Sequence, residues 1–237
     1  FTAPEVAEAM QHCVGCKGCT KECPSGVDMA AMKLEFLYQN RNKRTLGDIA
    51  FANFHKAEKF LALRVIINPL LQLGITKRLM GIATERSMPA LASPAYMKAY
   101  TSNFTAASAK NSPRPVVLWV DEFTAAQEPM LVGKAIDVLN ALDCTPVVYY
   151  APSGRALLSG GFLPQAKTIA ENAVRGLQDI LQDLGDIPIL GMEASAVLSA
   201  VDEYTRLLDG TELEWINTHK FQTIDHYLAS YLTTIEA

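Results

Sequence analysis

The 237-residue sequence lacks any run of eighteen apolar residues that is free of charge and proline. The nearest candidate, residues 60–73, is interrupted by Arg64 and Pro69, so we expect no membrane-spanning helix. A basic-then-apolar leader is also missing and the chain begins at Phe1, so we expect a fragment or processed product of a longer protein. Charged residues make up only 19% of the sequence and apolar residues 49%. This composition excludes a disordered chain and predicts a packed core.

The charges are unevenly distributed along the chain. Residues 1–114 carry 15 Lys and Arg against 8 Asp and Glu, a net charge of +7, whereas residues 115–237 carry 6 against 17, a net charge of −11. This asymmetry favours two parts with different surfaces. A basic half can attract nucleic acid, anionic lipid or an acidic protein face, but an ordinary solvated surface is the favoured interpretation. We expect no nucleic-acid partner.

Cysteines are few but clustered. Four of the five fall within eleven residues: Cys13, Cys16, Cys19 and Cys23, the last followed by Pro24. Gaps of two, two and three residues between them match the run that binds a [4Fe–4S] cluster in bacterial ferredoxins. Gly15 and Gly18 lie in the first two gaps, where they give the backbone the freedom to aim successive sulfurs inward. The spacing therefore predicts an iron–sulfur site.

Two other readings of the cysteine run are weaker. A structural zinc site also uses close cysteine pairs, but usually two pairs separated by a longer insert. Disulfides are disfavoured because the run is so compact and no secretory leader precedes it. In two-cluster ferredoxins the fourth cysteine of such a run ligates the other cluster. Either Cys13, Cys16 and Cys19 hold one cluster and Cys23 serves a second, or all four serve a single cluster.

Hydrophobic periodicity changes at about residue 113. The first half predicts helices at residues 5–11, 28–39, 47–67 and 75–84, followed by an irregular connection at 87–115. The second half predicts strands at 116–120, 146–150, 187–190 and 213–216, alternating with helices at 128–142, 162–184, 195–208 and 222–232. The predicted fold class is α+β: an all-helical ferredoxin-like region at 1–112, then a three-layer α/β domain with a mainly parallel sheet at 113–237.

Ligands of parallel sheets bind beyond the carboxyl ends of the strands. There the sequence places Ser153, Gly154 and Arg155, a candidate anion site, with an ion pair between Arg155 and a neighbouring carboxylate as the alternative. Asp121 and Glu122 follow the first strand and are a candidate acid/base pair. Without a partner His or a metal motif, a polar loop is the favoured interpretation of those two carboxylates.

Residues 13–28, continuing into Lys33-Leu34-Glu35-Phe36, resemble the second ferredoxin motif of FAD-linked D-2-hydroxyacid dehydrogenases of the D-lactate or glycolate type. The second half is similar to their cysteine-rich CCG domain, which is also found in glycolate oxidase iron–sulfur subunits and heterodisulfide reductases. The matching stretches lie at residues 120–124 with 128–129, 154–159, and 193–195 with 202–204.

The second half departs from that family at its cysteines. The family pattern has paired cysteines where this chain has Pro152 and Ser153, and a further cysteine where it has Ala196. Since proline and alanine cannot coordinate a metal, the resemblance implies a CCG-type lobe that has lost its cysteine chemistry. It also implies an FAD domain and a first ferredoxin motif upstream of Phe1.

The expected function is therefore an electron-transfer module that relays electrons from FAD through [4Fe–4S] clusters to a quinone or redox-protein acceptor. Alone, this chain carries no catalytic constellation and we expect no substrate turnover. A docking domain with a vestigial redox lobe and a structural zinc site are the alternatives. We expect a cytoplasmic protein. Residues 60–73 are a candidate amphipathic patch for peripheral contact with the inner face of the cell membrane, although a packed helix covering the cysteine loop is favoured.

Overall fold

The computed structural model describes residues 3–235, and short helices make up the first half of the chain. The α-helices there are α1 (Pro4–His12), α2 (Gly18–Glu22), α3 (Met29–Gln39), α4 (Leu46–Ala52), α5 (Arg64–Gln72), α6 (Gly74–Leu79), α7 (Pro94–Asn103) and α8 (Ala106–Ala109). Short 3₁₀ segments at Arg41–Lys43 and Phe54–Leu63 connect some of them. Local caps set several starts: Asp28 accepts the Ala31 N–H at 2.9 Å at the start of α3.

Four parallel strands form the sheet of the second half. They are β1 (Pro115–Val120), β2 (Thr145–Tyr150), β3 (Ile189–Gly191) and β4 (Phe221–Thr223), in the order β2-β1-β3-β4. The helices between and after them are α9 (Glu122–Gln127), α10 (Pro129–Ala141), α11 (Arg155–Ser159), α12 (Leu163–Leu184), α13 (Ala194–Leu198), α14 (Tyr204–Leu207), α15 (Gly210–Thr218) and α16 (Ile224–Ile235). A π-helical turn, Ser199–Glu203, joins α13 to α14.

Both faces of the sheet are covered, which is why β1 is a continuous apolar run. Val116, Leu118 and Val120 pack on one face with residues of α7, α10 and α16. Val117 and Trp119 pack on the other face with residues of α12, α14 and α15. The predicted α+β fold with a parallel sheet is confirmed. The ferredoxin-like character of the helical part and the boundary between residues 112 and 113 stay predictions.

Several local predictions were wrong. Residues 87–115 are not irregular throughout, because Ser93 caps α7 with Pro94 at its first position and Thr105 forms a capping box with Ser108 at the start of α8. The helix predicted at 47–67 is divided into α4, a 3₁₀ segment and α5, and α5 continues through Pro69 to Gln72. Because α7 contributes to the core beside the sheet, the stretch predicted to be irregular at 87–115 takes part in the α/β packing.

The fourth strand was also misplaced. Residues 213–216 lie within α15, where Leu213 and Ile216, spaced i and i+3, face the core. The strand is formed by Phe221–Thr223, in parallel register with Ile189–Gly191 of β3. No helix within residues 3–235 combines the length and apolarity that crossing a bilayer requires.

Candidate functional site

The cysteine run forms the loop between α1 and α3. Two residues in its first half have left-handed backbone, Gly15 at φ +70° and Lys17 at φ +59°, so the chain reverses sharply between Cys13 and Cys19. Helix α2 then carries Cys19, and Cys23 follows its last residue. The thiol of Cys16 is exposed, and those of the other three cysteines of the run are partly buried. The loop is therefore built to present its sulfurs near the surface.

Backbone N–H groups point at two of these sulfurs. The N–H of Met29, the first residue of α3, donates to Cys19 Sγ at 3.4 Å. The N–H of Val27, followed by that of Ser25, lowers the pKa of the Cys23 thiol. Such donors stabilise the thiolate, which is the form that binds iron or zinc, and they tune the reduction potential of iron–sulfur clusters.

The start of α3 and the cysteine loop are also fastened through carbonyl groups. Cys13 Sγ donates to the Met29 carbonyl at 4.0 Å, and Lys33 Nζ donates to the Cys13 carbonyl at 2.5 Å. Lys33 belongs to the stretch that carries the family resemblance, but its role as an anchor of the first cysteine depends on a contact across twenty residues of chain.

The donor set fits a thiolate-ligated metal group by its chemistry. In the part of the chain that the structure describes, however, no three His, Cys, Asp or Glu side chains are close enough together to hold a metal ion. The four thiols share a loop without converging on one point. The fifth, Cys144, is buried in the core beside Tyr227, 3.5 Å from its hydroxyl, as expected of a lone structural thiol.

At the carboxyl edge of the sheet, the two candidate carboxylates take different roles. Asp121 caps α9, accepting the Phe123 N–H at 3.0 Å and the Thr124 hydroxyl at 2.5 Å. Glu122 is buried and accepts both the N–H of Ser153 at 2.7 Å and its hydroxyl at 3.0 Å. The predicted polar loop is thus the start of a helix, and the two side chains do not share a partner that would make them an acid/base pair.

Ser153, Gly154 and Arg155 do lie together at this edge, and the side chains of Ser153 and Arg155 both have partners within the protein. Ser153 is fully buried against Glu122, and its carbonyl accepts the Tyr204 hydroxyl at 2.9 Å. Gly154 takes a left-handed conformation at φ +69° and starts α11. Arg155 stacks over the Phe123 ring at 4.2 Å and pairs with Glu193 at 3.4 Å. The structure therefore has the ion pair that was the alternative, and anion binding here stays a prediction.

The buried Glu122 makes stability depend on pH. Burial raises the pKa of Glu122, although the N–H of Ser153 opposes that rise. A raised carboxyl pKa in the folded state means that the stabilising contribution is present below the unfolded pKa and is lost as pH rises through the folded value. Compared with the wild type, Glu122→Gln should therefore gain stability at pH 8 relative to pH 5.

Urea unfolding at pH 5 and pH 8 measures this difference. Glu214→Gln, which changes an exposed carboxylate of α15, is the matched control and should show the same stability difference from the wild type at both pH values. A Glu122→Gln variant whose stability relative to the wild type is the same at pH 5 and pH 8 contradicts the burial argument.

The chain is similar over most of its own length to D-2-hydroxyglutarate dehydrogenases, and this similarity confirms the resemblance to D-2-hydroxyacid dehydrogenases. The curated relatives include the D-2-hydroxyglutarate dehydrogenases of Pantoea ananatis, 28% identical over 221 residues, Haemophilus influenzae, 25% over 218, and Escherichia coli, 26% over 220.

These matches cover 86%, 86% and 84% of this chain, respectively, but 21% of each relative. The chain thus spans about a fifth of the length of the curated relatives it matches. No family model matches the chain. No solved structure matches it either.

Proposed function

We propose that this chain is the electron-transfer part of an FAD-dependent dehydrogenase that oxidises a D-2-hydroxyacid of the 2-hydroxyglutarate type. The observation that carries the proposal is the cysteine run, in which spacing of the [4Fe–4S] kind coincides with backbone N–H groups directed at Cys19 and Cys23. The similarity to D-2-hydroxyglutarate dehydrogenases supports the substrate class.

The residues divide into ligands and supports. Cys13, Cys16 and Cys19 would hold one [4Fe–4S] cluster, and Cys23 would serve a second one. A bound cluster would supply one-electron transfer, so the two electrons released by oxidation of a hydroxyacid would pass through it one at a time. Met29 supports the site by donating its N–H to the Cys19 sulfur, and Lys33 by holding the carbonyl of Cys13.

The proposed partners are the FAD domain of the same parent chain as electron donor and a quinone or redox protein as acceptor. Within the described residues, the helices around α5 expose large apolar side chains beside Arg64, including Val65, Ile66 and Leu70. Exposed apolar surface of this kind marks a contact surface. Peripheral contact with the inner face of the cell membrane is one use for it and stays a prediction, as does a cytoplasmic location.

Anaerobic reconstitution with iron and sulfide tests the cluster. We expect absorbance at roughly 400 nm that bleaches with dithionite, together with iron and acid-labile sulfide in equal amounts. Replacing Cys13, Cys16 and Cys19 together by Ser should abolish all of these signals because the hydroxyl is a poor ligand for iron. Cys144→Ser is the matched control and should retain these signals. Cys144 lies far from the loop in sequence and is buried in the core beside the sheet.

Two outcomes would replace the proposal. Zinc in place of iron in the purified chain identifies the structural zinc site. Retention of full dehydrogenase activity by the parent protein with Cys13→Ser identifies a docking domain, an alternative favoured by the loss of the family's cysteines at Pro152, Ser153 and Ala196.

A further inference from the structure

Lys17, inside the cysteine loop, is held by the α/β lobe, the part of the chain from β1 onward. The amine of Lys17 is paired with the carboxylates of both Asp202 and Glu203, which lie 185 and 186 residues further along the chain. Its side chain is only 15% exposed. Burial pushes the pKa of Lys17 down, but the hydrogen bonds with the two carboxylates outweigh it and the pKa is raised. The contact is therefore a largely buried, charge-assisted ion pair between the cysteine loop and the lobe.

The backbone at Lys17 needs such a tie. Lys17 lies between Cys16 and Cys19 and takes the left-handed conformation at φ +59°, which residues other than glycine rarely adopt. Strained residues of this kind persist where the surroundings fix them, and they cluster at functional sites. Here the surroundings are the two carboxylates.

The two carboxylates come from the π-helical turn. Neighbouring residues of a regular helix do not face the same way, yet Asp202 and Glu203 at the end of Ser199–Glu203 both reach one amine. π-Helical turns are rare and occur frequently at functional sites. In this chain the turn gathers two negative charges where the loop places one positive charge.

A second tie lies at the far end of the loop. Arg206 pairs with Asp202 at 3.2 Å and with Asp28 at 2.6 Å. Asp28 caps α3, the helix whose first residue donates to Cys19 Sγ. The lobe thus grips the chain both between the cysteines and just after them. A cleft of about 250 Å³ lies between the loop and the lobe, lined in part by Gly15, Lys17 and Glu203.

From these contacts we infer that Asp202 and Glu203 are positioning residues for the cysteine loop. By holding Lys17, they fix the backbone that carries Cys16 and Cys19, so the lobe supports the thiol site without contributing a cysteine to it. The inference rests on the proposed function for its consequence for bound iron. Its structural part, loop order imposed by the two carboxylates, stands on the metal-free chain.

The test combines Asp202→Asn with Glu203→Gln and follows two properties. In the metal-free chain, amide hydrogen exchange in residues 13–23 should accelerate by about tenfold or more because charge-assisted hydrogen bonds are lost. In the reconstituted chain, release of iron to a chelator under anaerobic conditions should accelerate to a similar extent. Lys17→Met should also accelerate both rates, and combining it with Glu203→Gln should add nothing further, because Glu203 acts through Lys17.

Glu212→Gln is the matched control because it breaks an ion pair with Arg175 inside the lobe, at 2.8 Å, without touching the loop. It should leave both rates unchanged. Lys17→Arg, which keeps the positive charge, should retain most of the wild-type protection against hydrogen exchange. If the chain binds no iron but the exchange effect appears, the proposed function fails and the positioning role stands. If iron binds and neither rate changes in the acidic variant, the positioning role is wrong and the proposed function stands.

Discussion

Replacing Trp119 by Ala is expected to lower the free energy of unfolding by about 3–5 kcal/mol. Trp119 is among the largest fully buried side chains of the lobe and packs edge-on against Phe221 with 5.8 Å between ring centroids. Its indole N–H donates to the Ala151 carbonyl at 2.8 Å. Removing the ring leaves a cavity in the core and an unpaired buried carbonyl, and both penalties add.

The consequence extends to the edge of the sheet. Ala151 is followed by Pro152 and by Ser153, which is bound to Glu122. Trp119 therefore links β1, a central strand, to the loop whose Ser153 is bound by Glu122. This arrangement keeps the loop ordered.

Trp119→Phe separates the two penalties. It keeps an aromatic ring in the core but removes the indole N–H, so we expect a smaller loss of about 1–3 kcal/mol. Urea unfolding followed by circular dichroism gives both values. If Trp119→Ala and Trp119→Phe lose equal stability, the cavity contributes nothing and the packing argument is wrong.

Gly161→Ala is expected to lower the free energy of unfolding by about 2–4 kcal/mol. Gly161 has a left-handed backbone at φ +68°, and a Cβ there would lie 2.6 Å from Leu37 Cβ and 2.7 Å from the Tyr38 nitrogen. Those atoms belong to α3, so the lobe and the helix that follows the cysteine loop meet at this glycine. A methyl group can be accommodated only if backbone moves.

The same glycine carries a second contact between the two halves. Arg44 donates to the Gly161 carbonyl at 2.6 Å and lies over the Phe162 ring at 3.5 Å. Displacing Gly161 therefore disturbs the cation–π contact as well as the packing of α3. We expect residues 13–23 to become more accessible to proteases in this variant.

Gly81→Ala is the matched control for the energetic penalty of a left-handed backbone. Gly81 is also left-handed, at φ +70°, but nothing lies within 4 Å of the position of its Cβ. Its loss should be about 1 kcal/mol, the penalty of the conformation alone. Thermal unfolding of Gly161→Ala and Gly81→Ala measures the two losses of stability. Equal losses at the two glycines would show that the contact with α3 does not constrain the fold.

Local features carried most of what could be predicted. The apolar runs of β1 and β2 and the long amphipathic helix α12 were identified because periodicity depends on neighbouring residues alone. The cysteine run was recognised for the same reason, since gaps of two and three residues between cysteines are typical of an iron–sulfur site. Where two local signals competed, prediction failed. Residues 213–216 read as a strand but form part of α15, because tertiary burial of Leu213 and Ile216 at helical spacing outweighs a short apolar run.

The sequence by itself determined the kind of atoms at the site, four thiols in one loop, and the parallel α/β character of the second half. Only the tertiary structure decided which distant charges meet them: Lys17 with Asp202 and Glu203, and Glu122 with Ser153. Ion-pair and hydrogen-bond partners separated by 31 or more residues leave no periodic trace, because their pairing depends on how the completed elements pack.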